Sequence, residues 1–174
     1  MRKLFKKRWF KCSVIAAAVI ILLIIIISSI FGAKEIAFFN AKSIMNWKLG
    51  ESVEGISSPG DGEKVDYSAF TWFNDGETMG LWNAQTGTRY FMSDYPSDKL
   101  GKFCVTGFVT NERVYSVMGI SVGDDEVATK NKLLDYGFDY SGGGHNSCRA
   151  EKGSIAMELE FWHGSVIQIY VYIK

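Results

Sequence analysis

Proline, histidine and cysteine are scarce in this chain of 174 residues, which has 2 prolines, 2 histidines and 3 cysteines. Glycine is the common breaker of regular structure, with 18 residues. This composition is typical of short strands joined by glycine turns, because glycine tolerates the positive φ that tight turns require. The length leaves room for one ordinary domain beside a membrane segment, but hardly for a second independent core.

Basic residues are concentrated at one end of the chain. Residues 1–11 hold six basic side chains and no acid, and the remainder has 13 basic and 19 acidic residues, a net charge of −6. Proteins bind the phosphate backbone through clustered Lys and Arg. The acidic remainder therefore excludes nucleic acid as the expected partner.

The segment from Cys12 to Gly32 lacks charged residues, and serine is its only polar interruption. At 1.5 Å per residue, a helix of this length crosses the roughly 30 Å hydrocarbon core of a bilayer. Lys and Arg beside such a segment are retained in the cytoplasm. The sequence therefore predicts a cytoplasmic tail over 1–11 and a single transmembrane helix over 12–32 that contacts the lipid bilayer. The rest is expected outside the plasma membrane, as an extracytoplasmic part.

A cleaved signal peptide is the closest alternative to a retained membrane helix, because it shares the basic start. A signal peptide has a shorter apolar stretch, of about 7 to 15 residues, and a small-x-small cleavage site. Here the stretch is longer, and the bulky residues Ile30 and Phe31 precede Gly32 and Ala33. The pattern favours retention, with cleavage as the alternative.

Residues 33–66 are predicted to form a juxtamembrane helix and a linker. Apolar residues recur at helical spacing between Ala37 and Met45, and residues 57–63 have the composition of a turn without a hydrophobic period. An extracytoplasmic β-rich domain is therefore expected over residues 67–174.

A meander of antiparallel strands is predicted in the first part of this domain. Asn74-Asp75-Gly76 and Gln85-Thr86-Gly87 are hairpin signals, because Gly and Asn adopt positive φ readily. The predicted strands are 67–73, 78–82, 88–92, 103–110 and 114–118.

A helix is predicted after the meander. Asp124 or Asp125 can cap its start, and Gly137 stands where a left-handed C-terminal cap belongs. The residues expected to pack on the sheet are Val127, Ala128, Asn131 and Leu134.

Two arms of alternating apolar residues flank His163-Gly164 near the carboxyl end. Period two in both arms predicts a hairpin with one buried face, which needs a partner layer such as the helix. The predicted fold class is therefore α+β: an N-terminal transmembrane helix and an antiparallel sheet with one or two short helices packed on it. The residues expected on the buried face are Ile155, Met157, Leu159, Phe161, Ile167, Ile169, Val171 and Ile173.

The run YSVMGISVGDDEVATKNKLLDYGF, followed by GSIAMELEFW and SVIQIYVYIK, resembles the beta-lactamase-inhibitor-like fold, which small outer-membrane-assembly lipoproteins also use. In that pattern an Ile-x-x-Gly turn, here Ile120 to Gly123, opens a short helix, and strands curl around the helix. The resemblance covers residues 115–174 and implies a helix-plus-antiparallel-sheet module.

A second, shorter similarity lies within the chain itself. LGESVEGI at 49–56 resembles VGDDEVAT at 122–129, which suggests two degenerate copies of one module. More broadly, the chain is similar to uncharacterised single-pass membrane-anchored proteins of Gram-positive bacteria. That resemblance implies no catalytic residues.

Outside the membrane segment, the soft metal ligands are Cys104, His145, Cys148 and His163. Four such ligands make a tetrahedral zinc site, but Cys104 has no second cysteine two to four residues away. A disulfide between Cys104 and Cys148 is favoured over zinc, because an extracytoplasmic compartment is oxidising. Buried thiols without a disulfide are the remaining alternative.

No complete catalytic motif occurs in the chain. His145 and Cys148 lack an identifiable orienting group and oxyanion hole, and Gly142-Gly143-Gly144 lacks the Lys-Ser/Thr of a phosphate-binding loop. The sequence thus predicts no catalytic site, no cofactor and no metal.

Trp162, Tyr170 and Tyr172 fall on the strand face opposite the aliphatic residues, and they form a candidate interaction face. The favoured function is a non-enzymatic, membrane-anchored interaction module with a protein or cell-envelope partner. Two alternatives stay open: an extracytoplasmic zinc-binding or hydrolytic protein, and a single-pass accessory subunit of a membrane complex.

Overall fold

The computed structural model describes residues 14–15, 17–23, 32–52, 70–74, 78–93 and 104–174. One compact unit comprises Glu35–Lys174, and Met1–Lys34 form a separate unit. The domain therefore begins well before residue 67, where the sequence pattern placed its start.

The first unit is described only in part. Residues 14–15 and 17–23 are helical. Within the described parts of the chain, no helix is long and apolar enough to cross a membrane. The predicted tail over 1–11, most of the segment 12–32 and the predicted linker over 57–63 lie outside the described residues.

Within the described residues, the second unit contains an antiparallel sheet of eight strands in the order β1-β2-β3-β4-β8-β7-β6-β5. Helix α1 spans residues 32–41, and helix α2 spans Glu126–Asp135, between β4 and β5. This α+β architecture agrees with one part of the predicted fold class, the antiparallel sheet with short helices. The strands are β1 Phe70–Asn74, β2 Met79–Asn83, β3 Arg89–Ser93, β4 Cys104–Thr110, β5 Asp139–Gly142, β6 Ser147–Lys152, β7 Ile155–Trp162 and β8 Ser165–Ile173.

The core lies on one face of the sheet, called here the closed face, beneath the helices and the loops that flank them. Alternate residues of every central strand are buried there, because successive side chains of a strand point to opposite faces. Aromatic rings join the layers: Trp47, from the loop after α1, stacks edge-on against Phe70 at 5.0 Å and Tyr90 at 4.7 Å. Burial raises the pKa of the Tyr90 hydroxyl, which accepts a hydrogen bond from the Asn46 backbone.

Helix α1 contributes to this core. Phe39 is buried, and Glu35 accepts a hydrogen bond of 3.0 Å from the backbone N–H of Ser154, in the turn between β6 and β7. Glycine is favoured beside it, because Gly153 has φ of +54° and a Cβ there would displace the Glu35 carboxylate, which would lie 1.6 Å away. The predicted helix in this stretch is thus present as α1, but residues 35–52 belong to the domain and do not form a linker before it.

Helix α2 has the predicted caps but a different buried face. Asp125 caps it by accepting a hydrogen bond of 2.9 Å from the Ala128 N–H, and Gly137 has φ of +76°. The predicted packing residues Val127 and Leu134 are exposed, whereas the buried residues are Thr129 and Leu133. The prediction of that face is therefore wrong: Thr129 and Leu133, which are four residues apart and share one side of the helix, form the buried face.

The C-terminal hairpin forms as predicted, with one departure in its second arm. A bulge inserts one extra residue in β8 opposite Glu160 and Phe161, so Ile167 points outward and Val166 is buried in its place. A bulge reverses the inward and outward alternation, and period two alone does not reveal it.

Two predictions about strands on either side of α2 were wrong. After the helix, strands β5 and β6 lie within residues 139–152, where no strand was predicted. Conversely, the predicted strand 114–118 is a loop held by isolated bridges at Ser116 and Val117. Pairing with neighbours decides strand formation more strongly than local composition does.

The sheet consists of two meanders, β1–β4 and β5–β8, which meet at β4 and β8. In the first, a turn at Gly50 docks on the start of β4: the Gly50 N–H donates to the Val105 carbonyl at 2.7 Å, and the Val105 N–H donates to the Glu51 carbonyl at 3.0 Å. The Glu51 carboxylate accepts from the Lys48 N–H at 2.7 Å.

The second meander repeats this arrangement. The Gly123 N–H donates to the Val166 carbonyl at 2.7 Å, and the Val166 N–H donates to the Asp124 carbonyl at 2.9 Å. The Asp124 carboxylate accepts from the Ser121 N–H at 2.9 Å. These residues lie in the two similar segments of the sequence, 49–56 and 122–129, of which the structure describes 49–52 and all of the second.

The bulges and the central pairing repeat as well. Thr106 is the extra residue in β4 and Ile167 the extra residue in β8, each one position after the docked valine. Counting onward from the bulges, Val109 is the counterpart of Tyr170, and these two residues pair directly across β4 and β8. The two meanders are therefore related by an approximate two-fold axis through this pair.

Candidate functional site

The face of the sheet opposite the core, called here the open face, carries half-buried and exposed side chains. The register of the strands places five residues side by side on this face, one on each of five consecutive strands: Phe73, Gly80, Phe91, Gly107 and Tyr172. Alternation in β8 adds Tyr170 and Gln168 to the same face. Candidate chemistry is concentrated on this face.

An aromatic row of four side chains runs across the open face. The ring centroids of Phe73 and Phe91 are 6.0 Å apart, those of Phe91 and Tyr170 5.6 Å, and those of Tyr170 and Tyr172 5.0 Å. All four rings are half-buried. Because the rings contact one another, the row is a preformed apolar surface with little side-chain freedom to lose on binding.

Glycines on neighbouring strands make room for the row. A Cβ at Gly107 would lie 3.2 Å from the Phe91 ring, and one at Gly80 would lie 3.1 Å from the Phe73 ring. The phenylalanine rings therefore pack against the glycines, which compensates for the weak packing of glycine in a strand.

A network of charges borders the aromatic row on β6 and β7. Arg149 binds Glu151 at 2.9 Å and Glu158 at 3.2 Å, and its guanidinium carbon lies 5.6 Å from the centre of the Tyr172 ring. The Tyr172 hydroxyl donates to Glu158 at 3.2 Å. Desolvation by burial, followed by the charge of Glu158, raises the pKa of Tyr172.

The network holds Glu151 ionised to low pH. Hydrogen bonds from Lys174, then Arg149, then Ser141 lower the pKa of Glu151 from its ordinary 4.5 to about 2. A depressed carboxylate pKa stabilises the folded state above pH 4.5, and this contribution is lost as the pH falls from 4.5 toward 2.

In a ¹³C NMR titration of the full chain, we expect a midpoint near 2 for Glu151. In the Lys174→Ala variant the midpoint should rise toward 4.5, and an unchanged midpoint would contradict the network.

A hollow of about 310 Å³ opens on the same face beside the network. It lies over the strands of the second meander, with Tyr170 as its aromatic wall. The side chains on the open face that line it are Ser147, Arg149, Glu158, Glu160, Gln168 and Tyr170.

The predicted interaction residues fall on this face but not in one patch. Tyr170 and Tyr172 belong to the aromatic row. Trp162 is exposed at the end of β7, four residues beyond the partner of Tyr170, and its ring contacts His163 instead. At about 3.4 Å per residue, Trp162 lies about 14 Å further along β7 than the residue that pairs with Tyr170. The row instead includes Phe73 and Phe91. Both lie in predicted strands, where the alternation of inward and outward side chains could have assigned them to the open face.

The predicted disulfide is not formed. Cys104 on β4 and Cys148 on β6 are buried, and strands β8 and β7 lie between them. Three strand spacings of about 4.8 Å put their Cα atoms at least about 14 Å apart, well beyond the reach of a disulfide. Burial raises the pKa of the Cys148 thiol.

The four possible zinc ligands are not brought together either. His145 and His163 are exposed in the turns at one end of the sheet, whereas the cysteines are buried within strands. Across the described ranges, no group of three or more His, Cys, Asp or Glu side chains is placed to hold a metal ion.

Comparison with protein-family models, curated proteins and solved structures found no match for this chain. The resemblance to the beta-lactamase-inhibitor-like fold therefore stays a prediction. The geometry of the open face is therefore the basis for the function proposed below.

Proposed function

We propose that this chain is a membrane-anchored, extracytoplasmic interaction module without catalytic activity, and that it binds a protein partner through the open face. The observation that carries the proposal is the aromatic row, Phe73, Phe91, Tyr170 and Tyr172, joined by ring contacts of 5.0 to 6.0 Å. Aromatic residues and arginine are enriched in the centres of protein interfaces, where they supply most of the binding energy.

The position of the row supports binding rather than core packing. The closed face already buries the side chains that form the core, among them Leu81, Tyr90 and Phe108. The rings of the row belong to the other face and remain half-buried there, next to charged side chains. An apolar centre with a polar border is the usual anatomy of a protein interface.

A hydrolytic function is less well supported. Cys148 is a buried thiol whose pKa is raised by desolvation, and a nucleophilic cysteine requires a lowered pKa and access to substrate. His145, its proposed base, is exposed in the turn before β6, while alternation directs Cys148 to the closed face. A binding role requires neither residue.

The anchor is proposed from the sequence. The uncharged stretch from Cys12 to Gly32 has the length of a membrane span, and the six basic residues of 1–11 favour a cytoplasmic flank. In this arrangement the domain that begins at Glu35 faces outward and meets its partner at the cell surface or in the envelope.

Site-specific photo-crosslinking in cells tests the proposal. A photoreactive phenylalanine analogue placed in the full chain at Phe91 or Tyr172 should crosslink one and the same protein. The same analogue at Leu134, which is exposed on α2, should not crosslink it. Equal yields at all three positions, or no protein product at Phe91 and Tyr172, would contradict the proposal.

The crosslinked protein then serves as a purified ligand. Tyr170→Ala should weaken its binding by about 30-fold, the effect of losing a central interface tyrosine worth about 2 kcal/mol. Tyr140→Ala is the matched control, because Tyr140 is exposed but bonds to Lys130 on α2, on the closed side. Equal losses in the two variants would argue against the open face.

A further inference from the structure

The hollow beside the aromatic row is a point at which the two meanders differ. Phe91 pairs with Gly107 just before one bulge, and Glu160 pairs with Gln168 just before the other, so Glu160 is the counterpart of Phe91. In the first meander the Phe91 ring covers Gly107 and fills this place. In the second meander the carboxylate of Glu160 takes the position of the ring, and the space beside it is open.

Among the described residues that line the hollow, carboxylates outnumber cations by one. The cation, Arg149, is already paired with Glu158 at 3.2 Å and with Glu151, which lies outside the hollow, at 2.9 Å. Glu160 is exposed and makes no ion pair within the part of the chain that the structure describes. The carboxylate of Glu160 is therefore available to a cation from outside.

Tyr170 gives the hollow a wall suited to a flat cation. Its ring is fixed between Phe91 and Tyr172, and its pKa is raised by desolvation through burial, so it stays a neutral phenol over the ordinary pH range. A guanidinium group pairs with a carboxylate through parallel hydrogen bonds and stacks on an aromatic ring. A lysine ammonium group pairs with a carboxylate as a point charge, and it lacks the planar fork that makes parallel hydrogen bonds and stacks flat on a ring.

We propose that the hollow receives the guanidinium group of an arginine on the protein partner, with Glu160 as its counter-ion and Tyr170 as its stacking surface. This inference rests on the proposed function, and it specifies the chemistry of the partner. The aromatic row would then bind apolar residues next to that arginine.

A capped amino acid tests the hollow without the partner. Nα-acetyl-arginine amide is titrated into the ¹⁵N-labelled full chain in detergent micelles, with Nα-acetyl-citrulline amide as the uncharged analogue. We expect saturable shifts of the Ser147, Glu160 and Gln168 amides, with a dissociation constant on the order of 1 mM for arginine. Citrulline should give no saturable shift at the same sites.

Two variants make the result specific. Glu160→Gln should weaken binding of the capped arginine about tenfold, because it removes a charge-assisted hydrogen bond. Asp135→Asn, which removes an exposed carboxylate on α2, should leave the binding unchanged. The proposal is overturned if citrulline binds as well as arginine, if Glu160→Gln binds normally, or if no saturation appears below about 50 mM.

The two proposals fail in different ways. Suppose that capped arginine does not bind, but Tyr170→Ala still weakens binding of the crosslinked protein. The proposal for the hollow then fails, and the proposed function stands. If capped arginine binds at Glu160 but no protein crosslinks to the open face, the hollow is a cation site and the interaction function fails.

Discussion

Replacing Leu133 with alanine is expected to lower the free energy of unfolding by about 3 kcal/mol, the usual cost of removing a buried leucine side chain. Leu133 is fully buried in α2, within the cluster that joins the helix to the sheet. The cavity left behind adds to the lost hydrophobic transfer energy, because neighbouring strands relax only partly. Urea unfolding followed by tryptophan fluorescence measures the change.

The adjacent leucine is the matched control. Leu134 lies in the same helix turn but is 50 % exposed, so Leu134→Ala should change stability by no more than about 0.5 kcal/mol. Both substitutions alter helix propensity equally, so their difference isolates packing. Equal effects would mean that α2 packs through the face that the sequence pattern indicated, with Val127 and Leu134 toward the sheet.

Gly80→Ala is expected to cost about 3 kcal/mol or to prevent folding, because overpacking against backbone is relieved only by moving a strand. A Cβ at Gly80 would lie 1.9 Å from the carbonyl oxygen of Tyr90, in the neighbouring strand β3. The strand rather than a flexible side chain would have to shift. Thermal unfolding by circular dichroism measures the loss.

Gly142→Ala provides the comparison within the same sheet. Gly142 ends the edge strand β5, and a Cβ there would meet nothing within 4 Å. Alanine should therefore be neutral or stabilise the domain by up to about 1 kcal/mol, since it restricts the unfolded chain. If Gly80→Ala were equally harmless, strand β2 could not approach the Tyr90 carbonyl of β3 as closely as described.

The parts of the fold that sequence predicted well are those with strong local signals. The hairpin around His163-Gly164 has period two on both sides, and α2 has Asp125 and Gly137 at its ends. Strands β5 and β6 were missed because Ser147–Lys152 is largely polar and follows three glycines. Pairing with β5 and β7 makes it a strand.

The candidate site was predicted in part for a related reason. Tyr170 and Tyr172 could be assigned to the open face, because alternation in one strand fixes which residues share a side. The row also needs Phe73 and Phe91, which reach Tyr170 only because β4 pairs with β8. That pairing is long-range, and no local pattern reports it.

The meeting of β4 and β8 in the middle of the sheet also bears on how the domain is made. As the chain emerges in order, β4 can pair with β3 at once but has to wait for β8, which follows four other elements. Until then the far edge of β4 exposes unpaired backbone groups, and such edges promote aggregation. Closure of the sheet thus depends on a non-local contact, and we expect the domain to fold more slowly than one built from local contacts.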